Sequence, residues 1–518
     1  MRLLMTHGYM LSGTGSNIYV QNLCRALVRE GHDVHLLCQE PHPLDYEFVD
    51  ECGDVGPDGT RKLGEQETTY PGRCSLYRPD IGDLLPVYVY DEYPGWRVKT
   101  FLDLTEEELR TYLRCNEEAI RAMLDATGVE AVVTNHSVPG PLISRRALEG
   151  TGVPYASIVH GSCLQYVSRR SERYMQLTRE GLEGARRILA LSSHSAGTIS
   201  EDFPYLAAKI VSLPGGVDTE LFRPDALDPE VPERLVGGTG RGSEQRGALG
   251  DALEHSAGAG ELLEALREIA SSYDARAHDK DAGERLEALL AGGAPLVIYV
   301  GKLIHSKGVH SLLAAFARVR RETGARLLVV GFGTFREGLE ALTLALGTGD
   351  ERSAERLTEL GKLLEGGTPS PLEHFDLSEE LINEAAGMEG AVEFIGPVDH
   401  AQLAGLLPAA DVGVVPSIFP ETFGLVAAEL AASGVVPFVS DHSGLREAGA
   451  IVGRELPFDL RVGVDDLEEN LARVLTGYLE LSEKERRRCA EVVRRNSVEY
   501  LSWGTLAQGL VGLADGTE

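Results

Sequence analysis

Two glutamates, Glu421 and Glu429, flank the start of a predicted helix in the segment PSIFPETFGLVAAELAA. The apolar run 412–415 precedes this segment, and the helix begins near Gly424. A helix N-terminus that follows a strand presents backbone N–H groups and a partial positive charge, which suit a phosphate. Carboxylates suit hydroxyl groups, because each can accept two hydrogen bonds. A purely structural interpretation stays open, with Glu421 stabilising the helix start and Glu429 on the surface.

Two lysines follow another predicted strand, 296–300, in the segment GKLIHSKG. Lys302 and Lys307 lie in a strand-to-helix turn, and a glycine stands beside each of them. Cationic side chains in such a turn indicate a clamp for a pyrophosphate, although lysines in loops are more often only exposed to solvent. The segment lacks the G-x-x-x-x-G-K-[ST] pattern, which excludes a P-loop.

These segments belong to two series of alternating strands and helices. The first series opens with a strand, a glycine-rich loop and a helix, and the second opens near residue 295. Such alternation predicts an α/β fold with two doubly wound, Rossmann-like domains. Residues 41–100 are expected to form an elaborated loop or a small subdomain. An N-terminal domain is predicted at 1–224, completed by a C-terminal helix at about 497–518. An insertion, helical or partly disordered, is predicted at 225–293. A C-terminal domain is predicted at 294–496, with a smaller insertion at about 345–390.

The charge balance bounds the partners of the protein. The formal charge of the 518 residues is -31 at pH 7, from 80 acidic and 49 basic side chains. A surface this negative repels phosphates over about 10 Å in 0.1 M salt, so nonspecific nucleic-acid binding is excluded. The only compact basic group in the N-terminal half is Arg169, Arg170 and Arg173. It indicates either weak peripheral membrane association or a solvated helix face.

Cysteine usage and hydropathy bear on the compartment. The seven cysteines are dispersed and form no C-x-x-C pair, which predicts free thiols in a reducing compartment. The first residues lack the features of a signal peptide, and no apolar run is long enough to cross a membrane. We therefore expect a cytoplasmic protein without a membrane span. No D-x-D motif adjoins the segments described above, so no metal site is predicted.

The order and spacing of these motifs resemble those of retaining glycosyltransferase family 4, whose GT-B fold has two facing Rossmann-like lobes with the active site between them. The family's two glutamates, separated by seven residues, match Glu421 and Glu429, and its G-R…K-G pair matches the two lysine sites. The segment LPGGVDTELFRP is similar to the family's inter-lobe motif P-N-G-V-D-x-x-x-F-x-P. Further similarity at VVGFG, VEFIG and YLSW extends the resemblance closely over 295–510 and loosely over the N-terminal lobe. Lys302 stands where the family usually has arginine, which loses the two-pronged contact with a phosphate.

The resemblance implies a role for each matching residue. Lys302 and Lys307 would neutralise the diphosphate of a nucleotide-sugar donor, Glu421 would bind hydroxyls of the transferred sugar, and Glu429 would bind the ribose. His160, in the segment IVHG, would lie near the donor sugar and the acceptor. The implied catalytic residues are His160, Lys302, Lys307 and Glu421; the implied donor-binding residues are Gly13, Gly15, Gly301, Gly331, Gly333, Ile395, Thr422, Phe423, Gly424, Leu425 and Glu429; the weaker acceptor-side candidates are Asn135 and His136.

Together these observations predict a retaining, metal-independent transferase that uses a nucleotide-diphosphate sugar as co-substrate and needs no cofactor. Two alternatives stay open: a sugar phosphorylase or synthase of the same fold, and a non-catalytic protein that binds nucleotide sugars. A nicotinamide oxidoreductase is disfavoured, because no G-x-G-x-x-G follows the first strand of either series. The sequence leaves open the acceptor (a glycan, a lipid or a small molecule), the donor base and sugar, and the oligomeric state.

Overall fold

The computed structural model describes residues 1–13, 15–90, 93–368 and 370–515. The chain divides into two compact units, one of Met1–Gly216 with the C-terminal stretch from Leu501, and one of Val217–Tyr500. The first unit thus ends at Gly216, whereas the sequence analysis placed the boundary at 224. The segment 225–293 belongs to the second unit.

A large, mostly parallel sheet forms the centre of the first unit. Among the described residues, the strands of this unit are β1 (Arg2–Thr6), β2 (Asp33–Leu37), β3 (Glu51–Gly56), β4 (Gly59–Glu65), β5 (Cys74–Pro79), β6 (Leu84–Val87), β7 (Arg97–Thr100), β8 (Ala131–Asn135), β9 (Tyr155–Val159), β10 (Arg187–Ala190) and β11 (Ile210–Ser212). The large sheet has the order β11-β10-β9-β8-β1-β2-β5-β3-β4, and β6 pairs separately with β7. All neighbours in the large sheet are parallel except β3 and β4.

The helices of the first unit cover the two faces of this sheet. They include α1 (Gly15–Arg29), α2 (Glu106–Thr127), α3 (Gly140–Ala147), α4 (Ser162–Tyr166), α5 (Glu172–Gly184) and α6 (Ser193–Asp202). Leu3 and Met5 of β1 lie in the core on one face, and Leu4 lies in the core on the other. Because successive side chains of a strand point to opposite faces, the middle of a strand that is buried on both sides is a continuous apolar run, as Leu3, Leu4 and Met5 are in β1.

The region 41–100 differs from its prediction. Three of its strands, β3, β4 and β5, join the large sheet, where β5 pairs with β2 and β3 pairs with β5. Cys74 and Leu76 of β5 are fully buried in the core. Polar residues and glycines interrupt the apolar pattern here, which is why the region resembled a loop in the sequence.

The second unit contains a parallel sheet with the order β14-β13-β12-β15-β16-β17, made of β12 (Leu296–Val300), β13 (Arg326–Val330), β14 (Val392–Gly396), β15 (Val412–Val415), β16 (Val436–Ser440) and β17 (Arg461–Val462). All neighbouring strands in it are parallel. With parallel strands and covering helices in both units, the predicted α/β, Rossmann-like fold class is confirmed.

The segment 225–293 is helical. It contains α7 (Val231–Arg234), α8 (Ser243–His255), α9 (Ala259–Ser271) and α10 (Ala282–Leu290). The helices that follow in this unit include α11 (Val309–Thr323), α12 (Arg336–Thr348), α13 (Glu351–Leu360), α14 (Glu379–Ala385), α15 (His400–Leu406), α16 (Leu425–Ala432), α17 (Ser443–Val452), α18 (Leu467–Leu479) and α19 (Glu483–Leu501). α10 packs against β14, and α8 and α9 pack against α12.

The last helix, α20 (Trp503–Asp515), returns to the first unit. Trp503 and Leu510 belong to the same core cluster as Leu23 and Leu27 of α1. The ring of Trp503 meets that of Tyr19 edge to face, with centroids 5.0 Å apart. The C-terminal helix therefore completes one face of the first sheet.

Candidate active site

The predicted donor residues of the second unit lie at one edge of its sheet. β14, β13, β12 and β15 are parallel neighbours, so their carboxyl ends meet at the edge where ligands bind in sheets of this kind. The Gly301 N–H donates to the carbonyl of Val330 (3.0 Å), and the Gly331 N–H donates to the carbonyl of Gly396 (3.0 Å). A side chain at Gly331 would overlap the carbonyl oxygen of Gly301. The close approach of these backbones therefore requires glycine at Gly331.

The loops after β12, β13 and β15 also touch one another through their backbones. A Cβ at Gly333 would overlap the carbonyl oxygen of Leu303, and a Cβ at Gly308 would overlap that of Pro416. The two glycines thus allow the loop of the lysines to contact both neighbouring loops, including the one that carries Glu421.

Lys307 and Glu421, two of the predicted catalytic residues, form an ion pair through Nζ and Oε1. Their side chains are 27% and 21% exposed, so solvent reaches both. The Ser417 hydroxyl donates a second hydrogen bond to Oε1 of Glu421 (2.6 Å). Lys302 lies apart from this pair: its side chain is exposed, and its carbonyl accepts a hydrogen bond from the Tyr299 hydroxyl (2.9 Å). The structure therefore joins one of the two predicted lysines to the glutamate.

A polar chain from the loop after β16 holds the backbone of Glu421. The Glu421 N–H donates to Oγ of Ser443 (2.8 Å), and the Gly444 N–H donates to the Glu421 carbonyl (3.0 Å). His442 bridges the two loops, with Nε2 2.6 Å from the Ser417 carbonyl and Nδ1 2.9 Å from Oγ of Ser443. A carbonyl only accepts, so Nε2 carries a proton, and in the neutral ring Nδ1 accepts from the Ser443 hydroxyl. Sequence reasoning missed Ser417, His442 and Ser443, although a short polar run directly after an apolar strand was a visible signal.

Four predicted donor-binding residues, Thr422, Phe423, Gly424 and Leu425, lead into the start of α16. Phe423 is buried, and Gly424 caps the helix with a φ of 112°. A Cβ at Gly424 would lie 2.6 Å from Cδ2 of Leu445, so both the backbone angle and the space favour glycine. The first turn has no acidic side chain, which leaves the partial positive charge of the helix N-terminus unopposed there.

Glu429, inside α16, differs from Glu421 in its electrostatic state. Its side chain is 12% exposed, and Oε1 lies 3.5 Å from Nε2 of the half-exposed His400. Burial raises the pKa of Glu429 to about 8, because a carboxylate loses hydration in a low-dielectric environment. Glu429 therefore holds a proton at neutral pH. Glu421 has a different environment, because its side chain pairs with that of Lys307.

Ile395, a predicted donor-binding residue, is in contact with the segment 225–293. Its carbonyl accepts a hydrogen bond from the Asp279 N–H (3.1 Å). A Cβ on the next residue, Gly396, would lie 3.1 Å from the carbonyl oxygen of Ala277. The segment thus reaches the end of β14, a contact that sequence reasoning did not foresee.

A buried ionic network anchors this contact. Asp279 is fully buried. Its Oδ2 lies 2.5 Å from the guanidinium nitrogen Nη2 of Arg285 and 2.7 Å from Nη2 of Arg336. Arg336 and the fully buried Arg241 both pair with Glu340, at 2.8 Å and 2.5 Å. Because unpaired charges are costly in the protein interior, this network fixes the segment against α12 and β14.

The first unit places three histidines at the carboxyl ends of three adjacent parallel strands. His7 follows β1, His136 follows β8 and His160 follows β9. The ring centroid of His136 lies 5.7 Å from that of His7 and 4.8 Å from that of His160. Tyr19 of α1 meets the His160 ring edge to face at 5.2 Å. The structure thus brings the predicted His160 and His136 together and adds His7, which sequence reasoning missed.

These histidines are uncharged at neutral pH. Burial lowers the pKa of His7 to about 4 and that of His160 to about 3. Burial, with His160 and His7 nearby, also places the pKa of His136 well below its usual value. The backbone of His136 has a φ of 71°, and neither ring nitrogen has a hydrogen-bond partner among the residues that the structure describes. Such a strained, unsatisfied side chain is typical of a functional site.

The glycine loop before α1 is open. Gly13 has a φ of 97°, and no atom lies within 4 Å of a Cβ built on Gly13 or Gly15; Thr14 lies outside the described residues. Asn17 ties the loop to the histidines, because its Nδ2 donates to the Ser12 carbonyl (2.5 Å) and its Oδ1 lies 2.9 Å from Nε2 of His7.

Three further predictions concern a metal site, a membrane span and the basic group of the first unit. Within the described part of the chain, no group of three or more histidine, cysteine or acidic side chains could hold a metal ion, and no helix is long and apolar enough to span a membrane. In the basic group, Arg169 pairs with Asp202 (2.9 Å) and Arg173 with Glu106 (3.0 Å). Acidic neighbours therefore neutralise two of its three charges.

Two family models match this chain, one in each half. The model described as Glycosyltransferase Family 4 matches residues 13–221, and the model described as Glycosyl transferases group 1 matches residues 294–476. The helical segment 225–293 lies between the two matches.

Known proteins resemble the chain in part or along its length. The glycogen synthase of Mycobacterium tuberculosis is 32% identical over 157 residues, so the match spans only 30% of this chain and 28% of that relative. The MMP alpha-(1->4)-mannosyltransferase of Mycolicibacterium hassiacum is 24% identical over 96% of this chain and 94% of its own length. The catalytic domain of starch synthase IV from Arabidopsis thaliana, bound to ADP and acarbose, has a TM-score of 0.57 at 14% identity and covers 100% of this chain and 99% of its own. That structural similarity concerns the fold.

Proposed function

Because this chain belongs to the glycosyltransferases described by the models Glycosyltransferase Family 4 and Glycosyl transferases group 1, we propose that it transfers a hexose from a nucleoside-diphosphate sugar to a hydroxyl group of an acceptor. The observation that carries the proposal is the Lys307–Glu421 pair beside the N-terminus of α16. A cation, a carboxylate and a helix N-terminus at one sheet edge suit the two parts of such a donor, its diphosphate and its sugar hydroxyls.

The proposed reaction retains configuration at the anomeric carbon. The bond from that carbon to the diphosphate oxygen breaks, and a bond to the acceptor oxygen forms on the same face. The acceptor proton moves to the leaving diphosphate. Lys307, Lys302 and the start of α16 stabilise the negative charge that builds on the diphosphate, which is the kind of interaction that lowers such barriers most.

The two glutamates divide the remaining contacts. Glu421 accepts hydrogen bonds from hydroxyls of the transferred sugar, with Ser417 and Ser443 fixing its position. Glu429 binds the ribose hydroxyls, and the reaction needs no metal ion. The name of the full-length relative, a mannosyltransferase, supports a hexose as the transferred group. An alternative is a phosphorylase of the same fold, which would use inorganic phosphate as a substrate and release a sugar 1-phosphate.

Donor binding tests the proposal first. We would screen the melting temperature of the whole chain with UDP, GDP, ADP and their sugar conjugates, with and without EDTA, for the wild type, Lys307→Ala and Lys484→Ala. Lys484 is an exposed lysine on α19 and serves as the matched control. Ligands that bind the folded state raise the melting temperature according to their affinity.

We expect one nucleotide family to stabilise the wild type and the Lys484 variant but not the Lys307 variant, whether or not EDTA is present. Subsequent transfer assays with that donor should show turnover reduced by at least about 100-fold in Lys307→Ala. Stabilisation by none of the nucleotides would refute the proposal and would favour a phosphorylase, which inorganic phosphate with small sugars would then reveal.

A further inference from the structure

Asn135 has an orientation that its surroundings determine. It ends β8 and is 3% exposed. Its Nδ2 donates to the carbonyl of Thr6 on the neighbouring β1 (3.1 Å) and lies 3.4 Å from Sδ of Met5. A flipped amide would set its oxygen against the Thr6 carbonyl, two acceptors in contact. The amide oxygen therefore faces the other way, toward His160.

The orientation of Asn135 decides the tautomer of His160. Oδ1 of Asn135 lies 2.8 Å from Nε2 of His160, and an amide oxygen can only accept. Nε2 of His160 must therefore carry the hydrogen, so in the neutral ring Nδ1 holds the lone pair. Among the residues that the structure describes, the one hydrogen bond of the His160 ring is that of Nε2 with Asn135, which leaves Nδ1 for a ligand.

The groups around the ring keep it neutral. The titratable side chains that face His160 are His7 after β1, His136 after β8 and Tyr19 of α1. The first two have lowered pKa values and the pKa of Tyr19 is raised by burial, so all three are uncharged at neutral pH. No carboxylate among the described residues is hydrogen-bonded to His160, so nothing stabilises a second proton on the ring.

We propose that Asn135 is a positioning residue, which fixes His160 as its Nε2–H tautomer so that Nδ1 accepts a hydrogen bond from a hydroxyl of the sugar substrate. This inference rests on the proposed function for the identity of the substrate. It gives His160 one task, to bind a hydroxyl, and excludes it from carrying the reaction's proton. Asn135 then acts through His160. This role differs from direct contact with the acceptor, for which Asn135 is a candidate in the sequence analysis.

The tautomer can be measured without any substrate. We would label the histidines of the whole protein with ¹⁵N, assign His160 with a His160→Gln variant, and record two-bond nitrogen–hydrogen correlations from pH 5 to pH 8. We expect His160 to show a protonated Nε2 and an unprotonated Nδ1 at every pH. A protonated Nδ1, or a titration of His160 within this range, would overturn the inference even if the protein is a glycosyltransferase.

Asn135→Asp gives the matching functional test. A carboxylate at this place keeps the acceptor for Nε2–H but favours a second proton on the ring, which turns Nδ1 from an acceptor into a donor. We expect turnover to fall about tenfold at pH 7, the loss of one hydrogen bond, and to recover at pH 9 as the ring loses that proton. Asn22→Asp is the control, because it places a carboxylate in the same unit beside Arg25, away from the histidines.

The outcomes separate the two claims. An equal loss at pH 7 and pH 9, with His160 still neutral in the spectra, would mean that Asn135 is only structural and would refute the inference. If the aspartate variant does not fold, Asn135→Ala replaces it: we expect a population with a protonated Nδ1, and an unchanged tautomer would refute the inference. If no nucleotide sugar reacts with the wild type, the proposed function fails while the wild-type spectra still decide the tautomer.

Discussion

Lys307 and Glu421, 114 residues apart in the chain, form an ion pair between two loops of the second unit. Gly308 lets the loop after β12 lie directly against Pro416 in the loop after β15, and this contact brings the two side chains together. A diphosphate that binds Lys307 must therefore compete with Glu421, and a sugar that binds Glu421 must compete with Lys307. A ligand that carries both a diphosphate and a sugar gives each of the two side chains a new partner.

Replacing Glu421 with glutamine should separate these two contacts. With the negative charge removed, Lys307 is free for phosphate, so the affinity for a nucleoside diphosphate without sugar should rise about threefold to tenfold. Turnover of the nucleotide sugar should fall at least about 100-fold, because the sugar hydroxyls lose their acceptor. Calorimetric titration and transfer assays measure the two effects, with the exposed Glu355→Gln as control. A parallel loss of both would contradict the ion-pair competition.

Gly331→Ala should damage the sheet edge itself. Its methyl group would overlap the carbonyl oxygen of Gly301, so the loops after β12 and β13 must move apart, at a cost of more than about 2 kcal/mol in the free energy of unfolding. Gly247→Ala, at an exposed position within α8 where no atom lies near a Cβ, should instead stabilise by about 0.5–1 kcal/mol. Denaturant titrations compare the two, and equal effects would contradict the close approach of the backbones.

The proton on Glu429 should make stability depend on pH. The native carboxyl has a pKa of about 8, whereas the pKa of a glutamate in the unfolded chain is about 4.3. Between these values the folded state binds more protons than the unfolded state, so the contribution of this group to stability falls as pH rises from about 4 to about 8.

Glu429→Gln removes this dependence. The variant should gain stability relative to the wild type as pH rises from 5 to 8, by up to about 4 kcal/mol between these two pH values. Melting temperatures at the two pH values, compared with those of the exposed Glu355→Gln, provide the measurement. A difference between variant and wild type that stays constant with pH would show that the native carboxyl is ionised throughout.

Two neighbouring aspartates should differ in their importance for the segment 225–293. Asp279→Asn leaves Arg285 and Arg336 without their shared carboxylate in the interior, which should cost about 3–5 kcal/mol. Asp281, also a partner of Arg285, is 27% exposed, so Asp281→Asn should cost only about 1 kcal/mol. Urea unfolding measures both. The buried carboxylate also holds the backbone N–H of Asp279 against the Ile395 carbonyl at the end of β14, so nucleotide affinity should fall in the first variant and not in the second.

Local patterns predicted most of the fold, while several contacts at the site depended on distant parts of the chain. The strands β12, β13 and β15 are apolar runs that end at glycine or proline, and the sequence marked each of them. The contact between Asp279 and Ile395 left no such mark. It joins a helical segment to a strand more than a hundred residues later in the chain. Buried arginines stabilise this contact, although the same side chains are solvated in the unfolded chain.

The site residues divide in the same way. Glu421, Lys307 and His160 lie in segments that follow the carboxyl ends of parallel strands. Ligands bind at that edge of such sheets, so the placement of these residues could be predicted. His7, His442 and Ser443 occupy similar positions but belong to no motif that distinguishes them from other loop residues. Their importance follows from hydrogen bonds and ring contacts that depend on strand order, which alternation of strands and helices alone does not fix.

The packing of α20 against α1 has a consequence for biosynthesis. During translation the first 216 residues leave the ribosome long before Trp503 and Leu510, which complete their core. Domains generally fold as they emerge, N-terminal first, but here the apolar side of α1 stays uncovered until the second unit has been made. The nascent first unit therefore spends the synthesis of nearly three hundred residues, roughly 15–60 s at about 5–20 residues per second, with a surface that chaperones recognise.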